Sequence, residues 1–141
     1  MIGHLMACIF CDIASGAELA EIVWRSADAV AFLDTRPLFP GHVLLIPVKH
    51  VVTLADLPAA EVGPLFQAVQ KLELAVESAM ESEGTFIAVN NRVSQSVLHL
   101  HIHIVPRTKG DGLKGFFWPR HKYESDEHLR ETADKIRRAL S

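Results

Sequence analysis

Apolar residues recur along the chain with two different periods, and the switches between them predict the order of elements. Between about 58 and 82, Val62, Leu65, Phe66, Val69, Leu72, Val76, Ala79 and Met80 recur at three and four residues, the stripe of one long amphipathic helix. Pro58 suits its first turn and Gly84 is expected to close it. Gly63-Pro64 is expected to bend or restart it, because an interior proline removes a donor and crowds the preceding turn. A shorter C-terminal helix follows Ser125 as N-cap, with Asp126 and Glu127 in its first turn, Lys135, Arg137 and Arg138 in its last, and Leu129, Ala133, Ile136 and Leu140 as its stripe. A helical turn is predicted over 8–15, with Ile9, Phe10 and Ile13 on one face and Gly16 as its stop.

Other segments read as strands. Glu21 to Arg25 and Ala29 to Leu33 flank Ser26-Ala27-Asp28 as a hairpin, and 34–41, with two prolines and a glycine, breaks the sheet. His42 to Pro47 and Thr85 to Asn90 are apolar runs of strand length. Val97 to Val105 alternates strictly: His99, His101 and His103 project to one side, Leu98, Leu100, Ile102 and Ile104 to the other. After it, 106–115 reads as a polar loop, and Phe116-Phe117-Trp118-Pro119 as an aromatic cluster at a core edge, a subunit interface or a ligand wall. Short connections and few crossover helices favour an α+β fold: an antiparallel sheet of about five strands with one long helix and a shorter C-terminal one.

Composition narrows this picture. A chain of 141 residues suits a single domain over 1–141. With 49% hydrophobic residues and a net charge of −3 it offers no basic stripe for nucleic acid and no polybasic patch for a membrane surface. No apolar run reaches the length of a span and no signal-like segment opens the chain, so a cytoplasmic location is expected. In a reducing compartment, Cys8 and Cys11, spaced C-x-x-C, suggest a metal site or a redox pair before a structural disulfide. A thioredoxin-like pair needs a helix start and a parallel strand around it, and neither is expected here.

Three imidazoles on one strand face concentrate the side chains that titrate near neutral pH, and His42 opens another strand. Two chemistries are open to them: a shared metal ion, or nucleophilic attack by one histidine supported by its neighbours. Gln95-Ser96 just upstream adds an amide and a hydroxyl, which suits a phosphate or a departing group better than a metal. Taken alone, Asp34 reads as a turn cap, Asn90 and Asn91 as turn residues, Phe10 and Phe32 as core, and His4, His121 and His128 as surface residues.

His99-Leu100-His101-Ile102-His103-Ile104-Val105 resembles the His-φ-His-φ-His-φ-φ signature of the histidine-triad (HIT) family, φ being apolar. The resemblance extends through Cys8-Ile9-Phe10-Cys11, Ala31-Phe32-Leu33-Asp34, Pro40-Gly41-His42-Val43-Leu44-Leu45-Ile46-Pro47, Gln95-Ser96-Val97 and Pro106-Arg107. It implies cleavage at the α-phosphate of a purine nucleotide conjugate, a dinucleoside polyphosphate or nucleoside phosphoramidate, through a covalent nucleotidyl-histidine. His101 would be the nucleophile, His42 and His103 its supports, and Gln95 and Ser96 the contacts to phosphate or leaving group. Asp34 would hold the ribose hydroxyls, Ile9, Phe10, Ile13, Phe32 and Leu44 the purine, and Asn90 would lie near the phosphate.

The same resemblance implies a homodimer, no organic cofactor, and in members with the C-x-x-C pair a structural zinc on Cys8, Cys11, His50 and His99. A phosphorylase on the same scaffold, or a nucleotide-binding regulatory protein with a zinc-stabilised fold, are the alternative functions. One departure stands out: many relatives have glycines just before the glutamine, whereas Asn91-Arg92-Val93-Ser94 has none. Arg92 could bring charge to a longer polyphosphate or simply be solvated.

Overall fold

A computed structural model describes residues 7–114 and 120–140. The sheet-bearing unit ends at Asp111, and a smaller unit begins at Gly112. The predicted strands form one five-stranded sheet in the order β1 (Ile22–Arg25), β2 (Ala29–Leu33), β3 (Val43–Pro47), β5 (Ile102–Arg107), β4 (Gly84–Val89). Every neighbouring pair is antiparallel, so the α+β class expected from the short connections is what forms. No helix among the described residues is long and apolar enough to cross a membrane.

Both faces of the central strands are covered, which is why β2 and β3 read as unbroken apolar runs. On one face α2 (Ala59–Met80) lays Leu65, Ala68, Val69, Leu72 and Val76 against Ala31, Val43, Leu45, Leu100, Ile102 and Ile104. On the other, α1 (Ile9–Ser15) packs Phe10, Ile13 and Ala14 on Val30, Phe32, Leu44 and Ile46. In the smaller unit α3 (Asp126–Leu140) is capped as expected, Ser125 Oγ accepting from the His128 N–H at 3.0 Å.

Three boundaries depart from the sequence reading. The histidine strand joins the ladder only at Ile102; 96–101 is irregular, and Leu98, expected in the core, is 59% exposed. The period-two pattern survives from His99 to Ile104 because Leu100, Ile102 and Ile104 pack in one layer while His99 and His101 meet Phe10 in the other, although the Leu100 N–H bonds the Val51 carbonyl rather than a sheet neighbour. At its other end β5 runs through Pro106 to Arg107, where β4 still pairs with it, so the polar loop begins later than expected. Finally, α2 stops at Met80 because Glu81 turns left-handed (φ 52°) and caps it through its N–H, while Gly84 opens β4 instead of closing the helix.

Pro64 does not interrupt α2. It lies less than two turns from the start, where its missing N–H leaves only the carbonyl of exposed Ala60 without an intrahelical partner. Replacing it should therefore recover a hydrogen bond: Pro64→Ala is expected to raise stability by about 1–2 kcal/mol, the helix gain being partly offset by a freer unfolded chain. Urea unfolding of both proteins checks this, and a lower midpoint for the variant would mean that the proline ring carries packing of its own.

Candidate functional site

The turn between β2 and β3 places the first histidine. Asp34 Oδ1 accepts the Arg36 N–H at 2.9 Å, and Gly41 takes the left-handed conformation (φ 96°) beside the side chain of Met80. A Cβ on Gly41 would come within 2.6 Å of Met80 Cγ. The chain then enters β3 with His42 buried, its Nδ1 accepting the Leu38 N–H at 3.0 Å. An imidazole that accepts at one nitrogen carries its proton on the other, so His42 Nε2–H donates to His103 Nδ1, 2.9 Å away. The same logic leaves His103 with its proton on Nε2.

His101 is oriented in the opposite sense. Its Nδ1–H donates to the backbone carbonyl of His99 at 2.8 Å, which leaves the lone pair on Nε2. The His101 and His103 rings lie edge to face, centroids 5.0 Å apart, so the ring with its lone pair on Nε2 neighbours one with its proton on Nε2. Burial, ahead of the neighbouring His101 and His42, pushes His103 down to about 4. Burial also lowers His42, against the pull of Asp34, whose Oδ2 lies 3.8 Å from His42 Nε2. Both supporting histidines are thus neutral around pH 7.

Under the triad, Phe10 is 7% exposed, with its ring edge-on to His101 (5.1 Å), Phe32 (5.4 Å) and His99 (6.0 Å). Ile13, Phe32 and Leu44 join it in one buried cluster; Ile9, predicted with them, is outside that cluster and half exposed. Asn90 is exposed just past β4, whose pairing sets Ala88 opposite His103 and Val89 opposite Ile102.

Gln95 is buried, and its amide is engaged by the protein: Oε1 accepts the Arg92 N–H at 2.8 Å and Nε2 donates to the Val52 carbonyl at 2.6 Å. Ser96 is exposed beside it. Asn91, read as a turn residue, holds the adjacent segment by accepting the Leu54 N–H.

A second cluster adjoins the triad. Cys8 is the N-cap of α1, its sulfur accepting the Cys11 N–H at 3.4 Å, so the C-x-x-C pair opens the helical turn predicted over 8–15; the sheet beside it has no parallel strand. Both thiols turn toward His50 and His99. Cys8 Sγ is 3.4 Å and Cys11 Sγ 3.5 Å from His99 Nδ1, Cys11 Sγ is 3.3 Å from His50 Nδ1, and the two Nδ1 atoms are 3.2 Å apart. His99, wholly buried, has its Nε2–H fixed on the Pro47 carbonyl at 2.8 Å, so its Nδ1 lone pair faces the sulfurs. Burial first, and the Cys8 thiol next, push Cys11 up to about 11.

Around a tetrahedral zinc, sulfur and nitrogen donors stand roughly 3.3 to 3.6 Å apart, which these spacings match. Asp34, His42 and His103 also lie within reach of one ion, but His42 Nε2 carries a proton there and offers no lone pair.

A family model, HIT domain, matches residues 16–110, more than half of the chain. The chain belongs to the HIT family. A HIT-family structure from Bacillus subtilis superposes with a TM-score of 0.88 at 30% identity over 96% of this chain and 99% of that one. A zinc-bound histidine triad protein from Mycobacterium smegmatis is similar with a TM-score of 0.73 at 34% identity, over 95% and 98% of the two chains. Adenylylsulfatase HINT3 of Arabidopsis thaliana is 31% identical over 140 residues, 94% of this chain and 69% of its own.

In this HIT protein the glycine-free loop before Gln95 keeps a glycine-like backbone: Arg92 (φ 71°) and Ser94 (φ 61°) are both left-handed. Sequence reasoning did not reveal the Leu38 N–H and the carbonyls of His99 and Pro47, which orient the histidines, since a backbone group leaves no residue-type signal. The predicted aromatic cluster at 116–119 lies outside the described residues.

Neutral buried histidines carry a pH signature. Unfolded imidazoles take up protons near 6.5, whereas folded His103 does so only near 4, so between these values the unfolded state binds more protons and stability falls as pH falls. The urea midpoint is expected to drop between about pH 7.5 and about pH 5, and less steeply in His103→Asn. A midpoint that holds or rises on acidification would contradict this.

Proposed function

We propose that this HIT protein cleaves purine nucleotide conjugates at the α-phosphate through a covalent nucleotidyl-His101. The observation that carries the reading is the tautomer of His101: with Nδ1–H given to the His99 carbonyl, Nε2 is a free lone pair next to a neutral N–H donor on His103. In the first step Nε2 bonds to the α-phosphorus and the bond to the departing oxygen or nitrogen breaks, its electron pair leaving with that group, a nitrogen taking up a proton from solvent as it departs. His103 Nε2–H donates to a phosphate oxygen as charge builds there, held in place by the chain from Leu38 N–H through His42. Water then attacks phosphorus, releasing its proton to solvent, and the P–N bond breaks with its electron pair returning to the imidazole.

In this reading the ribose hydroxyls bind Asp34 through Oδ2, the oxygen that the turn leaves free, and the base lies against Ile9, Phe32 and Leu44 above Phe10 and Ile13. Asn90 lies at the phosphate edge, and Ser96 with the remaining amide hydrogen of Gln95 meets the departing group. The similarity to HINT3, an adenylylsulfatase, supports an adenylate bearing an acidic leaving group. A dinucleoside polyphosphate or a phosphoramidate has the same α-phosphate and differs in what departs. A homodimer, as the family resemblance implies, and a cytoplasmic location complete the reading.

Cys8, Cys11, His50 and His99 would hold zinc. Four protein ligands leave no open position, so the ion would supply cross-linking of α1 to the ends of β3 and the triad segment, and no step of the reaction. The Mycobacterium smegmatis relative, described as zinc-bound, and the ligand-like spacing support this assignment.

His101→Ala is expected to lower turnover of diadenosine polyphosphate, adenosine phosphoramidate and adenylyl sulfate at least about a thousandfold while AMP binding and circular dichroism are retained. Acid-quenched wild type should show a nucleotidylated protein by mass spectrometry and the variant none; unchanged turnover would overturn the mechanism. A nucleoside diphosphate product on adding phosphate would point to a phosphorylase. Metal analysis should find about one zinc per chain, reduced in Cys8→Ser with a lower melting temperature. Metal-free protein of equal stability would remove the zinc assignment.

A further inference from the structure

The two clusters share parts. His99 faces the thiols and His50 through Nδ1, anchors its Nε2–H on Pro47, and through its own backbone carbonyl orients His101. Phe10 sits between Cys8 and Cys11 in sequence and touches both His99 and His101 in space. Neither His99 nor Phe10 has room to move independently, since His99 is 0% and Phe10 7% exposed.

We propose that the Cys8–Cys11 turn is a positioning device for the nucleophile, with Phe10 and His99 as positioning residues, so that ion binding at the thiols and nucleotide binding at His101 are energetically coupled. The inference rests on the readings of His101 as the phosphate-side histidine and of the four donors as a zinc site, and goes beyond both. An ion needs the His99 Nδ1 at ligand distance from two sulfurs and His50. A nucleotide phosphate needs the His101 ring held with Nε2 forward, which requires the His99 carbonyl in place. Both therefore select one arrangement of the same buried residue, and whichever binds first meets part of the ordering cost of the other. By linkage the two affinities must rise by one common factor.

The experiment is a zinc titration of the full chain against a chromophoric chelator, with and without saturating AMP, and the reciprocal AMP titration of zinc-loaded and zinc-free protein. AMP should tighten zinc binding about fivefold or more, within the usual range of such couplings, and zinc should tighten AMP binding by the same factor. Phe10→Leu keeps all four donors and an apolar side chain, so its zinc affinity without AMP should stay within about twofold while the coupling factor falls toward one. The selective loss of coupling in Phe10→Leu, with its zinc affinity kept, is a readout that simple destabilisation would not produce. Binding of both ligands with a wild-type coupling factor of one overturns this proposal alone. A chain that takes up no zinc, or no AMP, overturns it together with the metal assignment or the nucleotide reading respectively, and the titrations show which.

Discussion

A neutral imidazole has one N–H and one lone pair, and the chemistry of this site depends on which nitrogen carries which. Three backbone groups make that choice: the Leu38 N–H takes the Nδ1 lone pair of His42, the His99 carbonyl takes the Nδ1–H of His101, and the Pro47 carbonyl takes the Nε2–H of His99. Three chemically identical residues thereby become a hydrogen-bond donor to His103, a ring with its lone pair on Nε2 and a ring whose Nδ1 faces two thiols. Burial adds to this by holding His42, His99 and His103 below the ordinary imidazole range, so none of the three carries charge that would scramble the assignment near neutral pH.

Backbone groups can discriminate in this way only if the backbone is rigid, and the sheet supplies that rigidity. β3 has a partner on each side and a helix on each face, so Pro47 at its end and His42 just before its start are held by packing as well as by hydrogen bonds. Leu44 pairs opposite His103 in the register, which sets the height of that histidine. The layer built by α2 holds Leu100, Ile102 and Ile104, and the layer built by α1 holds Phe10 under the alternate residues. The apolar half of the histidine pattern thus fixes the polar half.

Much of this is written in residue types. The stripe of α2, the apolar runs of β2 and β3, and the alternation from His99 to Ile104 are side-chain signals, and each forms where it was read. The failures have a common physical origin in backbone conformation. The alternation continued one residue too far, to Leu98, because period two reports an extended chain and not a paired one. Glu81 and not Gly84 ends α2, since a left-handed cap is favoured in glycine but not confined to it. The helical turn predicted over 8–15 does form, and what residue type did not show is that Cys8 caps it with sulfur, a role usually filled by an oxygen.

The loop before Gln95 brings these threads together. Left-handed Arg92 and Ser94 each cost on the order of 1 kcal/mol relative to glycine, and such strain persists only where the surroundings over-determine it. Here the constraint is Gln95, whose buried amide clamps the Arg92 N–H to the Val52 carbonyl, while Asn91 ties the same loop to Leu54. A side chain committed to holding its own loop has little left for a substrate: one amide hydrogen and one carbonyl lone pair. The groups that this loop leaves exposed are the hydroxyl of Ser96 and the side chain of Arg92. The glycine-free loop is therefore held from the Gln95 side, while the orientation of His101 is set from the His99 side.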